Sequence, residues 1–334
     1  MRLSRLSLLS LLSYASMTFA TYMIHDDYGD SASFFDRFTF WTEPDPSHGY
    51  VQYVDQATAE GKGFISMSDG VAYLGVDYTS VVVSGGRQSV RLTSRSQYNH
   101  GLYILDLSHM PGSVCGSWPA FWMVGPNWPQ GGEIDIIEGV SQSTNNAMTL
   151  HTSDGCSIAG NGFTGTIQST NCFVGAGGQG YNTGCGIQLT SNASYGDGLN
   201  NADGGVYGME WTSGGFKSWF FTRGNIPLDI LSDTPDPLSW GTPDAAFAGD
   251  CNFDTHFNNM QIVFDTTFCG DWAGHPDVWA SSGTCQTLAP TCEEYVANNP
   301  TDFQEAYWEI NALKIYQDAR NTTARLPRLF PYHP

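Results

Sequence analysis

Residues 131–139 read GGEIDIIEG and set three carboxylates, Glu133, Asp135 and Glu138, among three isoleucines. An isoleucine-rich run bounded by glycine favours a strand. Strand side chains alternate, so Glu133 and Asp135 share one face while Ile134 and Ile136 turn to the other. Glu138 lies an odd number of residues from both and in a regular strand would enter the core. A lone buried carboxylate is costly. The pattern therefore predicts one extra residue, a β-bulge at Ile136–Ile137, that returns Glu138 to the acidic face. Three neighbouring carboxylates cannot all ionise cheaply, so at least one proton is expected to be held at a raised pKa.

Outward from this stretch, short apolar runs recur between turn clusters. They are GLYILDLS from Gly101, AFWMVG from Ala120, GVYGMEW from Gly205, FKSWFFTR from Phe216, NMQIVFDTTF from Asn259 and AYWEINALKIY from Ala306. Their spacing predicts an all-β sandwich or barrel. Only CEEYVANNP, residues 292–300, reads as a short helix. The 334 residues are 41% hydrophobic, 13% aromatic and only 14% charged, with 38 glycines, which suits a glycine-turned β protein and not a disordered chain. No linker or repeat interrupts residues 21–319, which read as one domain, and residues 320–334 read as a tail.

Residues 1–20, with Arg2 and Arg5 ahead of a leucine-rich run and small residues up to Ala20, read as a cleaved secretory signal peptide. Eight cysteines without a CxxC pair favour disulfides over zinc, although the sequence leaves their pairing open. Asn192-Ala-Ser194 and Asn321-Thr-Thr323 are sequons, as expected of surface positions in a secreted glycoprotein. With 33 acidic and 13 basic residues the formal charge is −20, a surface that repels nucleic acid and anionic membrane and suits a neutral substrate.

The triplet's spacing also carries chemistry. With the bulge counted, the Glu133 and Glu138 Cα atoms fall about 13 Å apart at ~3.3 Å per residue. Two glutamates leaning together can bring their carboxyls to about 5–5.5 Å, the separation of a retaining glycosidase. One ionised nucleophile beside one protonated acid is what glycosidic cleavage requires. A calcium site fits less well, because the oxygens lie along a line and not around a loop. A solvated acidic face is the bland alternative, and the surroundings argue against it. Trp118, Trp122 and Trp128 lie just upstream and His151 just downstream, and aromatic faces beside carboxylates suit sugar rings. One of the three tryptophans is expected to be purely structural. Trp279, in a glycine- and serine-rich stretch, is a further candidate platform. GAGGQG at 175–180 lies between cysteines without a strand–helix context, which argues against dinucleotide binding, and neither HExxH nor GxSxG occurs.

HGLYILDLSHMPG, CGSWPAFWMVG, NWPQGGEIDIIEGV, LHTSDGC, SYGDGLN, GGVYGMEW, SWFFTR, WGTPDAAF and FCGDWAG together resemble the secreted fungal laminarinases, endo-1,3(4)-β-glucanases of glycoside hydrolase family 16, from roughly Tyr22 to Gln317. The resemblance implies a concanavalin-like β-jelly-roll sandwich of two packed antiparallel sheets with an open substrate cleft across the concave one. It also implies endo-hydrolysis of 1,3-β and mixed 1,3-1,4-β glucan with retention of configuration. Glu133 would be the nucleophile, Glu138 the general acid/base, and Asp135 the group that tunes the pair. His151 would line the site beside the acid/base, and Trp122 and Trp128 would border the subsites nearest the cleaved bond, with Trp279 as a weaker transfer. Leu199 stands where phenylalanine is expected, which bears on the packing of a strand there. No metal or cofactor is implied, the partner is a β-glucan, and the protein is expected to be an extracellular monomer. Transglycosylation in wall remodelling and non-catalytic glucan binding are the alternatives.

Overall fold

The computed structural model describes residues 22–29 and 34–318; the expected signal peptide, the whole tail and the Asn321 sequon lie outside them. Two eight-stranded antiparallel sheets pack face to face. The first runs Thr166–Ile167, Cys185–Gln188, Ala147–His151, Glu133–Glu138, Ser117–Val124, Gln261–Phe268, Arg91–Ser94, Phe38–Phe40. The second runs Ala245–Phe247, Gly215–Thr222, Gly205–Thr212, Gly101–His109, Trp308–Asp318, Val71–Leu74, Ile65–Ser68, with Tyr22–Asp27 also paired to Trp308–Asp318. All six runs read from the sequence as strands are strands, and the fold is the expected jelly-roll sandwich.

Period-two patterning explains the layering. In Ser117–Val124, Phe121 and Met123 are buried in the core while Trp118 and Trp122 emerge on the opposite face. In Gln261–Phe268, Ile262 and Phe264 enter the core and Asp265 and Thr267 face away from it, into a cleft. From the second sheet, Leu105, Leu107, Trp308, Ile310 and Leu313 complete the core, where Trp308 meets Phe264 edge-on with ring centroids 5.8 Å apart.

The structure adds helices that the sequence reading missed. Cys292–Asn298 is the expected one, capped by Thr291, which accepts from the Glu294 amide. Gln56–Lys62 is another, with Asp55 as N-cap and Gly63 as left-handed C-cap at φ 72°. SYGDGLN is not a strand either. Gly196–Asn201 is a helix, and Leu199 is fully buried in the main core, so the exchange for phenylalanine is absorbed by packing there. Helices this short carry too few turns for an apolar period to register.

All eight cysteines pair, as Cys115–Cys285, Cys156–Cys251, Cys172–Cys185 and Cys269–Cys292. The first and last clamp a satellite core of Phe268, Trp279, Tyr295, Val296 and Phe303 beside the sandwich. Among the described residues no helix is long and apolar enough to cross a membrane.

Candidate active site

The strand Glu133–Glu138 is bulged where the pattern required it. Against Ser117–Val124, Asp135 pairs with Trp122 and Ile137 with Phe121, so Ile136 is the unpaired extra residue. Against Ala147–His151, Asp135 pairs with Thr149 and Glu138 with Ala147, which leaves Ile136 and Ile137 opposite Met148 alone. Both isoleucines are buried, at 1% and 0% exposure, so the extra residue adds apolar surface to the core while Glu138 returns to the cleft. A bulge frees backbone groups from the ladder. Here the buried side chain of Asn146 takes both: its amide nitrogen donates to the Ile136 carbonyl at 2.8 Å and its oxygen accepts from the Glu138 amide at 2.9 Å.

The three acids line a cleft of about 420 Å³ together with Trp118, Trp122, Trp128 and Asp265. Burial pushes Glu133 up to about 8, reinforced by the charges of Asp135 and Glu138 and opposed by His151 and Trp128. Glu138 is likewise pushed up to about 8 by burial and by Asp135, against a hydrogen bond from Trp118. Asp135 is held well above the carboxylate range by burial and by the charge of Asp265. These groups titrate as a coupled set. At neutral pH the set retains protons, so a proton donor and an ionised partner can coexist on one face.

His151 pairs in register with Glu133, and its Nε2 lies 3.3 Å from Asp135 Oδ2 and 3.8 Å from Glu133 Oε1. It therefore stands beside Glu133 and Asp135, and its charge also acts on Glu138. Ligand atoms of Glu133, Asp135 and His151 lie within 4.8 Å of one another, close enough to close on a cation. Burial, with the neighbouring carboxylates, is what raises the carboxyl pKa values, and His151 opposes the rise at Glu133 and Glu138.

Trp118, Trp122 and Trp128 all line the cleft. Trp118 Nε1 donates to Glu138 Oε1 at 2.8 Å. Trp128 is 38% exposed at the edge of the cleft. The Arg91 guanidinium carbon lies over the Trp122 ring, 4.9 Å from its centroid, and over the Trp41 ring at 5.2 Å. Arg91 Nη1 is 3.7 Å from Asp45 and 3.6 Å from Asp265. Burial raises Asp265 to about 7 even with Arg91 beside it.

Trp279 is not a platform. It is 3% exposed in the helix Pro276–Ser281, packs against Tyr295, and its indole donates to the Ala289 carbonyl at 3.1 Å. A ring closed off by the disulfide-clamped satellite core has no face for a sugar.

The sequence reading did not pick out Arg91, Asp265, Asp45, Tyr181 and Asn182, all of which line the cleft, nor Asn146, which holds the bulge. Period two counted back from Thr267 along its strand would have found Asp265.

Comparisons with known proteins agree with this geometry. The family described as "XgeA-like, catalytic GH16 domain" matches residues 38–316. An endo-1,3(4)-beta-glucanase of Arthroderma benhamiae is 47% identical over 307 residues, 91% of this chain and 66% of that protein. A crystal structure of an elongating GH family 16 beta-1,3-glucosyltransferase is 45% identical with a TM-score of 0.81, covering 89% of this chain and 100% of that one. Laminarinase 16A from Phanerochaete chrysosporium, solved with 6-O-glucosyl-laminaritriose in donor and acceptor sites, is 41% identical with a TM-score of 0.83 over 89% of this chain and 99% of that one. The chain spans 38% to 70% of the length of the curated relatives it matches, 46% for one from Aspergillus fumigatus and 66% for that of Arthroderma.

Proposed function

The chain belongs to the XgeA-like catalytic family of glycoside hydrolase family 16, and from that premise we propose that it is a secreted endo-β-glucanase that cleaves 1,3-β and mixed 1,3-1,4-β glucan with retention of configuration. The observation that carries the reading is the bulge, which gathers Glu133, Asp135 and Glu138 on one face of an aromatic-lined cleft. Glu133, ionised, attacks the anomeric carbon while the Glu138 carboxyl gives its proton to the departing glycosidic oxygen. Glu138, now a carboxylate, takes a proton from water, and that water displaces Glu133 from the anomeric carbon. Asp135 and His151 lie beside Glu133 and tune its proton affinity, while Trp122 and Trp128 offer faces to the sugar rings. An acidic cleft accepts hydrogen bonds from a neutral polyol and repels anionic polymers.

Residues 21–319 are the proposed catalytic unit, with residues 1–20 a leader removed on export and 320–334 a tail. Four disulfides fit an oxidising compartment. The protein is proposed to act as an extracellular monomer on polysaccharide, without nucleic acid, membrane or cofactor, and to carry glycans at its sequons. Transglycosylation is the second reading, favoured by the 45% identity to the beta-1,3-glucosyltransferase. A purely binding relative would lack one of the two glutamates, and both are present.

Product profiling on laminarin, lichenan, curdlan and cellulose, with and without an added acceptor oligosaccharide, tests the proposal. Hydrolysis predicts short products of β configuration by NMR as first formed. Products longer than the donor would favour the transferase reading, and α products would overturn the retaining geometry.

A further inference from the structure

Tyr181 is 80% exposed, in a loop whose backbone is anchored on both sides of it. Its loop is closed by Cys172–Cys185, and Gln179 Nε2 donates to the Asn171 and Gly184 carbonyls at 2.8 and 3.0 Å. The Asn182 amide donates to the Val174 carbonyl at 2.7 Å, and Asn182 itself is left-handed at φ 56°, a conformation that asparagine tolerates well. Tyr181 and Asn182 line the same cleft as Trp128, Glu133 and Glu138. Among the described residues the Tyr181 side chain has neither a ring partner nor a hydrogen-bond partner. A large ring carried into solvent on an anchored backbone forgoes burial, and an anchored backbone lowers the ordering cost of a ligand platform.

Sheet order gives it a side. The loop of Tyr181 leads into Cys185–Gln188, which Ala147–His151 separates from the catalytic strand. Arg91 and Trp122 lie on strands across the catalytic strand from it. Two strand spacings are about 10 Å, the scale of a disaccharide.

We propose that Tyr181 is a sugar-stacking platform at the cleft rim, taking a glucose unit of the substrate chain on the side of the cleaved bond away from Arg91 and Trp122. The inference rests on the reading of the cleft as a β-glucan site. Calorimetric titration of a Glu133→Gln variant with a β-1,3-linked trimer and heptamer tests it without turnover. Adding Tyr181→Ala is expected to raise the heptamer Kd about 2- to 12-fold and the trimer Kd by less, while Tyr181→Phe, which keeps the ring, stays close to the parent. An unchanged heptamer Kd in Tyr181→Ala overturns the proposal, as does a loss in Tyr181→Phe equal to that in Tyr181→Ala. Weakened binding in an enzyme whose unsubstituted form cleaves no glucan would refute the proposed activity and leave the platform standing. Cleavage with no Tyr181 effect would do the reverse.

Discussion

Trp118→Phe isolates one hydrogen bond to the expected acid/base. Trp118 Nε1 donates to Glu138 Oε1 at 2.8 Å, and this bond favours the carboxylate. Phenylalanine keeps a ring against Trp272, whose centroid lies 5.6 Å from that of Trp118, but has no donor. A hydrogen bond to a charged group contributes about 1.5–3 kcal/mol. Glu138 is partly open to the cleft, so the lower figure applies, and about 1.5 kcal/mol corresponds to roughly one pH unit. The sign follows from the chemistry: loss of the donor destabilises the ionised form and raises the pKa. The first step needs Glu138 protonated, so the alkaline limb of the kcat/KM profile should move up by about one unit while the acid limb, set by Glu133, moves little. Initial rates on a soluble β-glucan across pH provide the assay. A fall in kcat/KM at every pH with both limbs in place would mean that Trp118 acts only through packing, and the assignment of Glu138 as the titrating acid would lose its support.

Three further outcomes are expected. Glu133 and Glu138 are raised from 4.5 to about 8 in the fold; the stabilisation this represents is present below the unfolded value and is lost as pH rises through 8, by at most ~1.4 kcal/mol per unit per proton. Wild-type Tm should therefore fall over that window, and the fall should be shallower in Glu138→Gln; equal slopes would contradict the raised pKa. Asn146→Ala orphans the Ile136 carbonyl and the Glu138 amide, a loss of about 2–5 kcal/mol, and should lower Tm and reduce kcat more than it raises KM, whereas an unaltered kcat in the folded variant would show that the bulge needs no clamp. Trp279→Phe leaves the Ala289 carbonyl unpaired in the satellite core and should destabilise by about 1–3 kcal/mol with KM for glucan unchanged; a raised KM would restore Trp279 to the site.

What was legible in the sequence was whatever repeats at short range. The strands showed because each alternates against one buried face, and the bulge because Glu138 falls out of step with Asp135. Trp279 was misplaced because glycine and serine around a tryptophan look like an exposed loop, whereas the burial comes from Cys269–Cys292 and Cys115–Cys285, pairings that no local pattern encodes. That His151 falls opposite Glu133 was not legible, because register depends on how many residues the turn between the strands consumes. Arg91 and Asp265 meet through strand order and Asp45 joins them from the loop after Phe38–Phe40, pairings across sequence separations that periodicity does not reach.

The same distinction explains how the acidic face is tolerated. In a regular strand one of two consecutive isoleucines would point into the cleft; the bulge sends both into the core, where one more buried isoleucine is worth about 1.5–3 kcal/mol. That gain offsets the ladder bonds that the bulge gives up, and Asn146 recovers the two backbone groups that would otherwise be stranded. Hydrophobic packing on one side of the strand thus sets the spacing of the carboxylates on the other. A strand with Ile136 or Ile137 made polar would lose the reason to bulge, and Glu138 would then revert to the odd position that faces the core, where no proton donor can reach a substrate.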